Sequence, residues 1–563
     1  MRVPFLLSIF RDRKIFLFFV ISFVLRFVYV KIFFNFLTTD EAYYIYWFKI
    51  YFNEYKDLPL VASQRHFSFS LNVPVLLPLY VILKIFGVSE NYALFLSAKI
   101  SGLIISFLVS LVIYFILISW VRKEIAVALT FFPSITFLDW TAQFRGYDLV
   151  FYLICLGFLF IQRRRGFLSG FCISLATSVV PVTVYFSLTL IFFLVFNRFR
   201  VRDYLRFFGG AVLGFSPLIL YNACNADMFN KVSKFILTGI PTLDEFVLRI
   251  KGWEGWINFQ CGVNYLLEFD RLKILTNIVA ISLPYKKLLF LSLFFYVPAF
   301  VFSLFLSFLH RNKKIPFIFL FAIIFLYFFS PQDRNMVYAI LPFLFILAFG
   351  LDYLSGITAL RNLYKIMLIV FPLHNLSYAF FNTKDCSGYY MNFEDGRNLQ
   401  VKNFSCKKSG FEEFQKLYNI LKENGINFVF SDFIVAPIIN ALFYPDIKAS
   451  SQLFLSLDWM PEITYHIYQN YKEGKISFVF SKESMTHNYL SSQIDSKLSE
   501  RGVHFKKREV DGLIIYYDFS PNVLPDDLWN SYINSLRNCF SNTWGFERRT
   551  LYCIKKLISL RGD

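Results

Sequence analysis

The chain has 563 residues, of which 56% are hydrophobic and 17% charged, with a formal charge of +18 and a mean hydropathy of +0.51. That balance excludes an ordinary water-soluble globular protein and makes a bilayer the natural solvent. The positive charge does not point to nucleic acid, because the basic residues fall in short clusters between apolar runs rather than on one folded face.

Arg11, Arg13 and Lys14 precede the first apolar run, and no small-residue cleavage site follows it, so it reads as an uncleaved membrane helix. Apolar runs of about 20 residues, enough for roughly 30 Å of hydrocarbon, then recur to about Phe381. Helices are predicted near 15–37, 92–120, 124–138, 149–161, 167–180, 182–196, 207–221, 288–309, 315–330, 335–351 and 363–381, about eleven spans. The basic clusters lie at Arg11–Lys14, Arg122-Lys123, Arg163–Arg165, Asn197–Arg206, His310–Lys314 and Arg361–Lys365. The positive-inside rule puts each in the cytoplasm, with the chain's N-terminus, in a multi-pass protein of the cell membrane. The abundant phenylalanine, 74 residues, is read as lipid-facing surface rather than an aromatic cage.

Val73–Phe86 tests this scheme, since a span there would invert everything after it. It is expected as a short interfacial or re-entrant helix within a first external loop, 38–91, bounded by Pro74, Pro78 and Gly87. A single kinked pass through Pro181 would also invert the later helices. A second long external loop covers 222–287, and parity leaves 382–563 outside as a soluble α/β domain, with 1–381 as the membrane domain. In the external domain, Phe411, Phe414, Leu417, Tyr418 and Leu421 lie at helical spacing before Gly425, a helix-ending residue. Strands are expected at 427–430, 476–480 and 513–517, with a helix near 491–501. Acceptor recognition or plain stability would be its use.

Of eight cysteines, Cys155 and Cys172 fall in predicted helices, and Cys224, Cys261, Cys386, Cys406, Cys539 and Cys553 in external segments. An even external set permits disulfides between sequence neighbours, and free thiols are the equal alternative.

Two adjacent carboxylates, Asp40 and Glu41, stand where the first helix emerges. They are either the cap and dipole partner of an interfacial helix or a reactive pair. Asp40-Glu41-Ala42-Tyr43-Tyr44, then His66 ahead of Pro78-Leu79-Tyr80 and Lys84-Ile85-Phe86-Gly87, resembles the first loop of GT-C glycosyltransferases. These include protein O-mannosyltransferases and lipid A aminoarabinose transferases. Phe131-Phe132-Pro133-Ser134 and Gln143-Phe144-Arg145-Gly146-Tyr147-Asp148 are similar to the second external loop of that superfamily. Ser169-Gly170 to Pro181 is similar to its small-residue helix pair, without the usual Lys. Ser330-Pro331-Gln332-Asp333-Arg334-Asn335, followed by Leu341-Pro342, resembles its late external loop.

The resemblance implies inverting sugar transfer from a polyprenyl- or dolichyl-phosphate donor to an extracytoplasmic protein, lipid or glycan. A base is then needed on one side of the anomeric carbon and positive charge on the other. Asp40 is the candidate base, with Glu41 orienting the acceptor or supporting Asp40. Arg145 and Arg334 are candidates for the donor phosphate because guanidinium forks match phosphate oxygens, although lone interfacial arginines also serve to reach lipid headgroups. His66 is the third phosphate candidate. Tyr43, Tyr147 and Asp148 are candidates for substrate, with Asp139 the alternative acid. No cofactor is implied with certainty. Asp40, Glu41 and His66 could hold Mg or Mn, and metal dependence stays open. The Trp-Trp-Asp-Tyr-Gly motif of oligosaccharyltransferases is absent, and 222–287 is too short for a β-trefoil insertion. The competing class is a transporter or lipid flippase, which would place its ionisable residues near the bilayer midplane. A membrane protein without catalysis is the third reading.

Overall fold

The computed structural model describes residues 12–33, 37, 39–53, 64–131, 147–180, 183–224, 305, 309, 314–329, 338, 340–381, 389–392, 398–401, 410–431, 435–450, 463, 466–467, 470–481, 494–524 and 527–528. The fold is mostly helical and ends in a mixed five-stranded sheet. The helices are α1 (Arg13–Phe33), α2 (Thr39–Asn53), α3 (Gln64–Ile85), α4 (Glu90–Leu117), α5 (Lys123–Phe131), α6 (Tyr147–Gln162) and α7 (Gly166–Val179). There follow α8 (Val184–Phe196), α9 (Val201–Cys224), α10 (Lys314–Phe329), α11 (Ile340–Ser355) and, after a 3-10 turn at Thr358–Leu360, α12 (Arg361–Phe381). These elements fall close to the apolar runs, because such runs must hydrogen-bond their own backbone and the helix does so within one segment.

Among the described residues α4 is the one helix long and apolar enough to cross a membrane by length and composition, and α11 and α12 form an apolar pair bent by 112°. Shorter apolar helices surround them, including Asp148–Gln162, Gly166–Val179 and Val184–Phe196. One expectation is corrected here. The element expected as short at Val73–Phe86 is the 22-residue α3. Pro74 and Pro78 lie within it rather than at its start, and each removes one backbone donor that packing against α4 compensates. Gly87, at φ +76°, still closes it.

The helices run in a consistent alternation. Phe19 meets Tyr114, Phe23 meets Phe107, and Arg26 bonds Ser106 and Ser110, so α1 and α4 are antiparallel. Gln162 of α6 donates to the Ile116 carbonyl at 3.2 Å, and Ser169 donates to the Gly157 carbonyl at 2.8 Å, making α6 parallel to α4 and antiparallel to α7. Between α7 and α9 backbone touches backbone. A Cβ on Gly170 would lie 2.0 Å from the Phe207 carbonyl oxygen, and one on Gly210 would lie 1.9 Å from that of Phe167. These contacts advance together along both helices, so α7 and α9 are parallel and α8 is a separate return strand of the bundle. α7 and α8 are therefore two separate helices rather than one kinked pass.

As a result the bundle has two unlike ends. At one end Lys123 pairs with Asp12, and the Arg122 amide donates to Asp352 at 3.0 Å. Arg164 lies over Phe199 at 5.9 Å, and Trp120 packs on Phe193, Phe319 and Phe349. A cleft of about 580 Å³ there joins the 118–122 turn to Asp352, Tyr353, Gly356 and Ile357, just ahead of Arg361. The described members of all six basic clusters therefore gather at this end.

The sheet has the order β4-β3-β5-β7-β6. It is built from β3 (Ile426–Ser431), β4 (Lys448–Ser450), β5 (Lys475–Ser481), β6 (His504–Val510) and β7 (Leu513–Ser520); a hairpin, β1 (Tyr389–Asn392) with β2 (Asn398–Val401), precedes it. β3 is parallel to β4 and β5, while β7 is antiparallel to β5 and β6. Helix α13 (Phe411–Glu423) turns into β3 through Gly425 at φ +65°, and α14 (Val435–Phe443) links β3 to β4. A helical stretch covers 494–500. The strands and helices expected in this domain are all present; β1, β2, β4, β6 and α14 were not anticipated, and the helix expected at 288–309 lies almost wholly outside the described residues. All nine residues of α14 are buried, as a helix apolar all round requires, because it lies between the sheet and α2.

Candidate functional site

The acidic motif lies at the end of the bundle opposite the basic clusters. Asp40 is the second residue of α2, inside the helix rather than capping it. Glu41 is fully buried, and its Oε2 accepts from Lys99 Nζ of α4 at 2.6 Å. Lys99 also lies 5.9 Å from the Phe95 ring. Burying either charge alone would be costly, so the pair persists as a unit. Lys99 holds the Glu41 carboxylate inside the protein and so ties α2 to α4. Tyr43 is buried too, edge-on to Tyr44 at 6.4 Å, within an apolar cluster that also takes in Leu94 and Phe95. His66 is in the first turn of α3.

Tyr147 and Asp148 open α6. Asp148 is fully buried, at the helix end where the backbone dipole favours a carboxylate. At 1.5 Å per residue, Lys99 is about 27 Å from Leu117 and Asp148 about 21 Å from Gln162, so both reach the same far layer. There Phe151 packs tilted against Tyr338, with ring centroids 4.9 Å apart, and both side chains are fully buried. Tyr338 leads into α11, so the start of α6 and the start of α11 meet. Arg145 and Arg334 sit two and four residues ahead of Tyr147 and Tyr338 in sequence, and they and Asp139 lie outside the described residues. Among the described residues no three His, Cys, Asp or Glu side chains gather as a metal site needs. Cys155 and Cys172 are free and buried. Cys224 ends α9, and the other five cysteines lie outside the described residues.

Two further charges emerge that the motifs did not flag. Arg26, fully buried in α1, donates to the Ser106 carbonyl at 2.8 Å, the Ser110 hydroxyl at 2.7 Å and the Thr130 carbonyl at 3.2 Å. Together with Ser22, which donates to the Phe131 carbonyl, it holds the last carbonyls of α5. Lys49, on α2, donates to the Leu442 carbonyl at 2.7 Å, to Asn91 Oδ1 at 3.1 Å and to the Tyr444 carbonyl at 3.3 Å. Desolvation pulls its ammonium down to about 8, against the charges of Glu90 and Asp446. A lone Lys or Arg within an apolar helix was the available signal for Arg26 and Lys99.

Compared with protein-family models and with curated proteins, the chain matches none.

Proposed function

We propose that the chain is a polytopic membrane glycosyltransferase of the GT-C type, taking a sugar from a polyprenyl-phosphate donor to an acceptor outside the cytoplasm. The observation that carries this reading is the polarity of the bundle: basic clusters at one end, and the starts of α2, α4, α6 and α11 collected at the other. The positive-inside rule makes the first end cytoplasmic and the second external. Exposed apolar side chains on several helices, such as Phe18, Val24, Phe208, Val212, Ile366 and Ile369, suit a lipid surround. Close glycine contacts between α7 and α9 are the packing mode of helices in lipid.

In the proposed reaction Asp40 accepts the acceptor hydroxyl proton while that oxygen forms a bond to the anomeric carbon. The bond from that carbon to the donor phosphate oxygen breaks, and polyprenyl phosphate departs with the electron pair, its charge met by Arg145 and Arg334. Configuration inverts, because attack and departure are on opposite faces. Lys99 holds Glu41, and so α2, in place. The test is purified protein in lipid with a panel of polyprenyl-phosphate sugars, scoring released polyprenyl phosphate. Asp40→Asn should lower kcat about 10²- to 10⁴-fold; undiminished transfer removes Asp40 from the role.

Arg26 favours the second reading, a transporter, since a charge within a bundle commonly marks a substrate path. Movement of the sugar lipid without bond cleavage would establish that class instead.

A further inference from the structure

We infer that the C-terminal domain is a working part of the acid-bearing site, with Lys49 the positioning residue that fastens α14 to the helix carrying Asp40. The inference rests on the glycosyltransferase reading only for the role of Asp40; the fastening itself is geometric.

Helix α2 is buried along Glu41–Tyr46 and at Phe48 and Lys49, enclosed by α3 and α4 on the bundle side and α14 on the other. Three donors of the Lys49 ammonium meet three acceptors, and two of them are carbonyls at the C-terminal end of α14, where the helix dipole favours a cation. Tyr46 meets Tyr444 edge-on at 5.5 Å beside this contact. A second contact lies at the start of α4, where Tyr92 and Phe95 pack on Phe411 at 5.1 and 5.4 Å. α4 also supplies Lys99 for Glu41 and Asn91 for Lys49, so one helix holds α2 near both its ends. A domain serving only its own stability would have no need of a buried lysine from the bundle on its helix terminus. A domain that sets the position of α2 does.

Hydrogen exchange of the full-length protein in lipid nanodiscs tests this without any sugar substrate, so its outcome is independent of the transfer assay. Lys49→Met should speed exchange of both 39–53 and 435–443 by about tenfold or more, with 103–117 unchanged, since bonds to a buried charge are lost on both partners. Lys49→Arg, which keeps the charge and donors, should recover most of that protection. If Lys49→Met does not accumulate, Asn91→Ala, which removes one acceptor, should speed exchange of 39–53 by a smaller factor. Unchanged protection of 39–53 in the variant that is obtained, or loss confined to the C-terminal domain, overturns the inference. Where wild type transfers a polyprenyl-phosphate sugar, Lys49→Met should lower kcat while leaving the donor KM nearly unchanged, and Lys49→Arg should restore it. An unaltered kcat overturns the positioning role.

Discussion

The helical bundle and the C-terminal sheet domain solve the same packing problem with opposite surfaces. In the sheet domain α13 buries Phe414, Leu417, Ile420 and Leu421 and turns its charges outward. Exposed ion pairs such as Lys416–Asp511 and Lys506–Asp518 cover its surface. In the bundle Phe16, Leu17 and Phe18 of α1 are exposed, while Ser106, Ser110 and Arg26 are inside, bonded across helices. The difference teaches that the sheet domain turns its charges outward, whereas the bundle uses its polar atoms inside, to join helices.

Substitutions can break this comparison, and the largest expected effect is at the buried pair. Glu41→Gln leaves the Lys99 ammonium buried without its carboxylate and should cost about 3–5 kcal/mol, whereas Glu41→Leu with Lys99→Met should recover most of it. Unfolding of the detergent-solubilised protein measures both; an equal loss in single and double variants would deny the pair. Next comes Val212, exposed midway along α9. Val212→Asp should cost about 3 kcal/mol if this face meets hydrocarbon and nothing if it meets water, as read by the fraction of chains inserted. Gly170→Leu forces α7 from α9 and should cost about 2–3 kcal/mol. Gly209→Leu, with nothing within 4 Å of the added carbon, should be nearly silent in the same thermal scan.

The smallest effect belongs to the sheet domain. Tyr418 donates to Asp446 at 2.6 Å, and that bond, with Lys422, holds the Asp446 carboxyl below its usual range. A lowered folded value means the contribution is complete above about pH 3.8, the free carboxylate's range, and is lost as pH falls through the folded value. Tyr418→Phe should therefore cost less than about 1 kcal/mol at pH 7 and less still in strong acid, by denaturant titration.

Much of the helical architecture was legible because continuous apolar runs bounded by basic clusters leave few alternatives to a helix. The prolines of α3 misled, since Pro74 and Pro78 look like a start signal when the packing that tolerates them is invisible. β6 was missed for a related reason. An exposed edge strand reading His504-Phe505-Lys506-Lys507-Arg508-Glu509-Val510 carries no clean alternation. Of the site, the acidic motif and its end of the bundle were legible, but what Glu41 does was not, because Lys99 is 58 residues away. Lys49 meets Leu442 across 393 residues, a pairing no local pattern encodes.

The central claim, that the basic end and the acid-bearing end face opposite sides of a membrane, is tested most directly by labelling in intact cells. Arg165→Cys and Lys416→Cys place exposed thiols at the basic turn and on the C-terminal domain. A membrane-impermeant maleimide should label Lys416→Cys in intact cells and Arg165→Cys only after lysis. Labelling of both from one side would contradict the two-sided arrangement, and with it the external reaction site.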